Sequence, residues 1–169
     1  MRYIDFDGVI MESEKLLFEE WIKRPNWKEL PEEEKVKYII NQNWKYILEN
    51  SSDINDSLYI LKHMDPNENM VLTRVHSLDN EGKEKILFLR NKGIKVPVIL
   101  APYPLKKNEI VCAKNNILVD DSLKNLEEWE KDGGYPLFFD KKENNIDSWD
   151  MYNEKGYQRV LRIDEKLKK

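Results

Sequence analysis

The sequence predicts an α/β fold: a parallel sheet covered by helices on both faces, with a small helical insertion after the first strand. Five short β-rich runs, at residues 2–6, 69–73, 95–100, 116–119 and 136–139, alternate with segments of helical period. Between Ile10 and Asn69 lie roughly sixty residues with no strand signal, far more than a crossover between parallel strands needs. The ends of the β-rich runs carry acids, a hydroxyl and basic residues, and open parallel sheets bind ligands at that edge.

The elements follow in chain order. After the first run, a helix is expected over residues 12–23, with Leu17, Phe18, Trp21 and Ile22 on one side. A second opens at Pro31, which suits a first helical position, and Glu32, Glu33 and Glu34 suit the positive end of its dipole. Its apolar face runs through Val36, Ile39, Ile40, Trp44, Ile47 and Leu48. A third, over residues 54–63, closes before Pro66. Residues 11–65 therefore read as an insertion into a core made of residues 1–10 and 66–169. In the core, one helix opens near Ser77, carries Ile86, Leu87, Leu89 and Arg90, and stops at Gly93. Another, over residues 122–131, places Leu123, Leu126 and Trp129 at helical spacing before Gly133-Gly134. Residues 155–168 read as a last helix, or as a short strand through Tyr157, Val160, Leu161 and Ile163.

Composition narrows the function classes. The net charge of -4, with basic residues spread beside acidic ones, argues against a nucleic-acid surface. No apolar run approaches a membrane span, and the first residues already belong to a strand, so a soluble cytoplasmic protein without membrane partners is expected. The single cysteine, Cys112, rules out an internal disulfide framework and is expected as a small buried packing residue. No seam for self-association is legible, which leaves the oligomeric state open.

The chemistry starts at Asp5-Phe6-Asp7-Gly8. In an extended strand, residues i and i+2 point the same way, so Asp5 and Asp7 converge, and Gly8 then allows a sharp turn. Converging carboxylates call for a cation, and Mg²⁺ is the natural one. A metal-held carboxylate at a strand end is a candidate phosphoryl acceptor. The other strand ends complete the set. Thr73-Arg74 offers a hydroxyl, amides and a guanidinium, Lys106-Lys107 offers a cation, and Asp120-Asp121 offers metal ligands. A transferring phosphoryl group needs these parts together: nucleophile, donors, cation and metal site.

Four ordered motifs carry a resemblance: Asp5-Phe6-Asp7-Gly8-Val9, then Leu72-Thr73, a lysine after the third strand, and Asp120-Asp121. The sequence resembles the phosphatases of the haloacid dehalogenase superfamily. The resemblance implies a Rossmann-like core with a helical cap inserted after the first motif. It implies that Asp5 attacks phosphorus and that Asp7 protonates the leaving alcohol and then activates water. Mg²⁺ would be held by the Asp5 carboxylate, the Asp7 carbonyl and the pair Asp120-Asp121, with Asp121 ligating directly and Asp120 orienting. Thr73 would bind a phosphate oxygen. Lys107 is preferred over Lys106 on spacing to Asp120, and Arg74 is a further candidate for phosphate or cap contact. The run from Ile117 to Trp129 is similar to the 5′-nucleotidase and 5′(3′)-deoxyribonucleotidase branch. That likeness makes a nucleotide the leading substrate among small phosphorylated molecules.

The aromatic residues Phe18, Trp21, Trp44 and Tyr46 are expected to pack the insertion, with base stacking as the alternative. His63 and His76 read as surface or capping residues.

Overall fold

The strand at the chain's start becomes the centre of the sheet. In the computed structural model, which describes residues 1–139, β1 (Arg2–Ile4) lies between β2 (Asn69–Val75) and β4 (Ile117–Asp120). Tyr3 is in register with Met70 on one side and Leu118 on the other. β3 (Val98–Pro102) flanks β2, and β5 (Tyr135–Phe138) flanks β4, giving the order β3-β2-β1-β4-β5 with every pairing parallel. All five carboxyl ends therefore share one edge. Chain order reverses beside β1, and such switch points open a crevice for ligands. The element expected over residues 155–168 lies outside the described residues.

The strands depart from the predicted runs at their ends. β1 stops at Ile4 because the chain soon turns: the Phe6 carbonyl accepts from both Ile10 N and Met11 N, each at 2.9 Å. The third strand sits later than residues 95–100, since Ile94 and Val96 are spent as buried residues on the approach.

The insertion is more broken than its periodicity suggests. α1 (Ser13–Leu17) covers only the start of the expected 12–23 helix, and turns follow, past Pro25 and left-handed Asn26 (φ 53°). The run from Pro31 splits into α2 (Glu32–Ile40) and α3 (Trp44–Asn50), with Pro31 capping α2 rather than lying inside it. The break belongs to Asn43, whose side chain caps α3 by accepting from Tyr46 N at 3.1 Å. α4 (Ser57–His63) starts late because Asn55 and Asp56 are left-handed. In the core, a π-helical turn (Leu78–Gly82) leads into α5 (Lys83–Asn91), with the Ser77 hydroxyl accepting from Asn80 N at 3.2 Å. A short α6 (Lys107–Ile110), absent from the sequence reading, precedes β4, and α7 (Leu123–Lys131) follows it.

Both sheet faces are buried, so neighbouring strand residues serve different clusters. Ile4, Val71 and Val119 join Phe6, Ile10, Leu61, Leu89 and Phe139 on one face. Tyr3, Leu72 and Leu118 join Ala101, Leu126 and Trp129 on the other. Leu17, Ile39, Trp44 and Ile47 form a smaller cluster inside the insertion. Cys112 is exposed and Ala113 is buried, which reverses the expected packing role of the cysteine. Among the described residues, no helix is long and apolar enough to cross a membrane.

Trp129 anchors the second face. Its Nε1 donates to the Asn116 carbonyl at 3.1 Å and its ring meets Tyr3 edge-on at 5.4 Å. A Cβ at Gly134 would fall 2.2 Å from that Nε1, so the chain approaches the indole as only glycine allows. Trp129→Ala is expected to cost about 3–5 kcal/mol through cavity formation and the lost ring contact. Urea unfolding of the variant against the wild type measures it.

Candidate active site

The sheet register assembles the acids. Asp5 N donates to the Val119 carbonyl at 2.9 Å, which extends the β1–β4 ladder by one residue and sets Asp5 beside Asp120. Asp5, Asp120 and Asp121 each offer a carboxylate oxygen within 4.8 Å of the others. Gly8, at φ +77°, lets Asp121 close in: a Cβ there would lie 2.0 Å from Asp121 Oδ2. Glycine is required at this position by its backbone angle and by its neighbour.

Lys107, on the first turn of α6, is buried between two of these acids. Its Nζ lies 2.7 Å from Asp5 Oδ1 and 2.6 Å from Asp120 Oδ2. Burial alone would lower the ammonium's pKa, but Asp120 and Asp5 hold it above the ordinary lysine value. Asp120 is further saturated by Ser122 N at 2.8 Å and by Asn125 Nδ2 at 3.0 Å. Asp121, by contrast, has no hydrogen bond or ion pair among the described residues. Desolvation first, then repulsion from Asp5, Asp120 and Glu14, pushes its carboxyl up to about 8. Asp5 is pushed up to about 7, mainly by desolvation, with Lys107 opposing and Asp120 and Asp7 adding.

This donor set fits a divalent cation. Three carboxylates converge while one ammonium offsets them, and the unpaired Asp121 is the acid freest to ligate. Asp120, committed to Lys107, Ser122 and Asn125, is placed to orient rather than to bind alone.

Asp7 sits in a separate ionic cluster. Its Oδ1 accepts from the Ser13 hydroxyl at 2.5 Å, and its Oδ2 lies 2.5 Å from Lys85 Nζ. Lys85 is fully buried and also pairs with Glu81 Oε1 at 2.7 Å. Burial opposes its charge, yet Asp7 and Glu81 keep its pKa raised. Thr73 is fully buried. Its hydroxyl accepts from Lys85 Nζ at 3.2 Å and donates to the Arg74 carbonyl at 3.3 Å.

A cavity of about 210 Å³ opens beside these groups, reached by Asp5, Asp7, Lys107 and Asp121. Arg74 and His76 supply further core walls, and Leu17, Phe18, Lys35, Ile39 and Trp44 face it from the insertion. Arg74 reaches Asn125 Oδ1 at 3.4 Å while its buried Nε has no hydrogen-bond partner. Lys106 stands apart. It caps α6, half-exposed, and pairs with Glu128 at 3.2 Å, which corrects its standing as an alternative phosphate lysine. Thr73 lies under the cavity rather than on its wall. His76, expected at the surface, lines the cavity and stacks on Tyr103 at 5.2 Å.

Sequence reasoning missed Lys85, Glu81 and Ser13. Glu81 and Lys85 are four apart on a helical segment and read as an ordinary solvated pair. A signal did exist. Position 85 lies three and four residues before Phe88 and Leu89, on the stripe that α5 buries.

The comparisons concern the fold. A HAD hydrolase of family IA, variant 3, from Entamoeba histolytica superposes with a TM-score of 0.54 over 85% of each chain, at 12% identity. A HAD-superfamily hydrolase from Ehrlichia chaffeensis matches with a TM-score of 0.48 over 83% of this chain and 87% of that one, at 12% identity. No protein-family model matches the sequence, nor does any curated protein. The Entamoeba match shows that the chain has the Rossmann-like fold of a haloacid dehalogenase-type hydrolase.

Raised carboxyl pKa values have a signed consequence. Between the unfolded value near 3.8 and about 7 to 8, the folded protein keeps protons on Asp5 and Asp121 that the unfolded chain has released. Without metal, their contribution to stability is therefore fullest at low pH and falls as pH rises through that window. Calorimetric scans in EDTA are expected to show Tm declining from about pH 5 to 8, and saturating Mg²⁺ to flatten or reverse the slope. In Gly8→Ala, Asp121 is displaced. Titration calorimetry is expected to find Mg²⁺ affinity reduced about tenfold or more in that variant.

Proposed function

We propose that this protein is a Mg²⁺-dependent phosphomonoesterase of the haloacid dehalogenase superfamily. The observation that carries the reading is Lys107 bridging Asp5 and Asp120, with unpaired Asp121 alongside, at the mouth of a cavity that Asp7 also lines. The rival reading, a catalytically silent protein that uses this fold to bind a partner or sense a metabolite, has no physical use for so many carboxylates in one place, since their repulsion lowers stability when no cation is bound.

Asp5 is the nucleophile. Its carboxylate oxygen forms a bond to phosphorus as the bond to the leaving alkoxide breaks, and the proton on Asp7 passes to that alkoxide. The resulting aspartyl-phosphate is then hydrolysed. A water gives its proton to the Asp7 carboxylate and attacks phosphorus, releasing inorganic phosphate and restoring Asp5. Lys107 stands where it can offset charge on Asp5 and on a phosphoryl oxygen. Arg74, which lines the cavity and has an unused buried donor, supplies a further hydrogen bond, whereas Thr73, expected on the phosphate, supports the site from beneath the wall. Bound Mg²⁺ would be held by Asp5, the Asp7 carbonyl and Asp121, with Asp120 orienting, and would supply charge neutralisation and alignment.

A nucleoside monophosphate is the leading substrate. The cavity wall from the insertion sets Leu17, Phe18, Ile39 and Trp44 among the charged Glu14, Glu32 and Lys35, with Lys35 Nζ 5.3 Å from the centre of the Phe18 ring, and the aromatic part of that wall supports a base as the group it faces. Trp21 packs on Tyr38 instead, and Tyr46 is exposed away from the cavity, so neither contributes to that wall. Sugar phosphates, or transfer to a second hydroxyl as in a phosphomutase, would use the same core residues.

Phosphate release from nucleoside monophosphates, sugar phosphates and an aryl phosphate, each with Mg²⁺ and with EDTA, tests the reading. Asp5→Asn is expected to lower turnover at least ~10³-fold while circular dichroism stays native. Wild-type turnover in that variant would remove Asp5 as nucleophile.

A further inference from the structure

The sequence gives α5 an apolar stripe through Lys85, Phe88 and Leu89, and a lysine is the costly choice on it. Lys85 is 0% exposed, with the rings of Phe6 and Trp44 at 5.3 and 5.0 Å from its Nζ. A buried ion pair is poor value for stability alone, because an apolar residue of similar volume often does as well or better. Its retention calls for another reason.

The hydrogen bonds supply one. An ammonium has three protons, and three good acceptors surround this one: Asp7 Oδ2 at 2.5 Å, Glu81 Oε1 at 2.7 Å and Thr73 Oγ1 at 3.2 Å. The Arg74 carbonyl is the most distant neighbour, at 3.5 Å. Glu81 is fixed in turn, since its Oε2 accepts from His76 N at 2.7 Å. A rigid line thus runs from backbone through Glu81 and Lys85 to the Asp7 carboxyl. Ser13, at the start of α1, grips the other oxygen of that carboxyl. Both ends of the group are held, one from the core and one from the insertion.

We propose that Lys85 is a positioning residue that fixes the Asp7 carboxyl in line with the leaving-group oxygen, and that Glu81 serves to hold Lys85 in place. The assignment rests on the phosphatase reading. Lys85 touches no substrate: every proton it carries is engaged beneath the cavity, whose walls it does not join. Of the side chains it holds, Asp7 is the one placed to meet the leaving group, so its loss must look chiefly like a loss of proton transfer and not of binding.

Leaving-group dependence separates those outcomes. A nucleoside monophosphate expels an alkoxide that needs a proton, whereas 4-nitrophenyl phosphate expels a phenolate that does not. The variant Lys85→Met/Glu81→Gln removes both buried charges together, which avoids leaving one uncompensated. Single-turnover alcohol release from the nucleotide is expected to fall about 10²-fold or more. The nitrophenol burst and the Mg²⁺ affinity should stay within about fivefold of wild type, with KM little changed. Glu81→Gln alone, which keeps Lys85 but loosens its anchor, should give the same pattern at about a tenfold loss, and it decides the matter if the double variant does not fold. An equal loss on both leaving groups, or no loss on either, overturns the proposal while the phosphatase reading stands. A wild-type protein that releases neither alcohol overturns that reading and the proposal with it.

Discussion

Everything at this site depends on one ammonium among acids. Lys107 lies within 2.7 Å of Asp5 and Asp120, inside a sheet edge where three carboxylates come within 4.8 Å of one another. One positive charge cannot offset three negative ones, and the surplus falls on Asp121, which has no hydrogen-bond or ion-pair partner among the described residues. The arrangement is possible only because β1 and β4 run parallel in a register that pairs Ile4 with Val119 and so sets Asp5 beside Asp120. Gly8 then removes the one side chain that would keep Asp121 out. Fold and electrostatics are here the same constraint: the sheet forces the acids together, and the excess charge defines what must bind.

A second ammonium solves a different problem a short distance away. Lys107 pairs with Asp5 and Asp120, the acids proposed to meet phosphorus and metal, whereas Lys85 serves Asp7 and Glu81. Keeping the two clusters distinct lets Asp5 and Asp7, the proposed nucleophile and acid/base, sit two residues apart in sequence while answering to different cations. Two carboxylates sharing one cation would be coupled more strongly than Asp5 and Asp7 are, although the Asp7 charge still adds to the upward shift of Asp5. Separate partners allow different roles.

What the sequence made legible follows from how local each signal is. Asp5, Asp7 and Asp120 stand at or soon after strand ends, which short β-rich runs mark within a residue or two, whereas β2 runs on past the predicted end and leaves Thr73 inside it. The parallel order follows from the alternation of strands and helices. Spacing to Asp120 favoured Lys107 but left Lys106 as an alternative, because the choice depends on α6, four residues long and without a periodic stripe of its own. Once α6 forms, one lysine turns to Asp5 and the other to Glu128. The insertion's boundaries were missed where single side chains override period: Asn43 caps α3 inside an otherwise continuous apolar face, and left-handed Asn55 and Asp56 delay α4. Lys85 was hidden by its own chemistry, since a Glu-Lys pair at this spacing is expected in water.

The π-helical turn Leu78–Gly82 then joins parts that the chain keeps far apart. Glu81 within it holds Lys85, and through Lys85 the Asp7 carboxyl. Asn80, one residue earlier, donates from its Nδ2 to the carbonyls of Ile40 and Gln42, both at 3.0 Å, where α2 gives way to α3. Those helices carry Ile39 and Trp44 to the cavity wall, and Trp44 also lies against Lys85. The same turn therefore sets the position of Asp7, the proposed acid/base, and of the insertion wall that faces the cavity. A change in the insertion that shifts Ile40 or Gln42 pulls on Asn80, and the strain reaches Glu81 through one peptide bond. On the proposed reading, selectivity and proton transfer are mechanically linked, although the residues that would embody them lie in different parts of the chain.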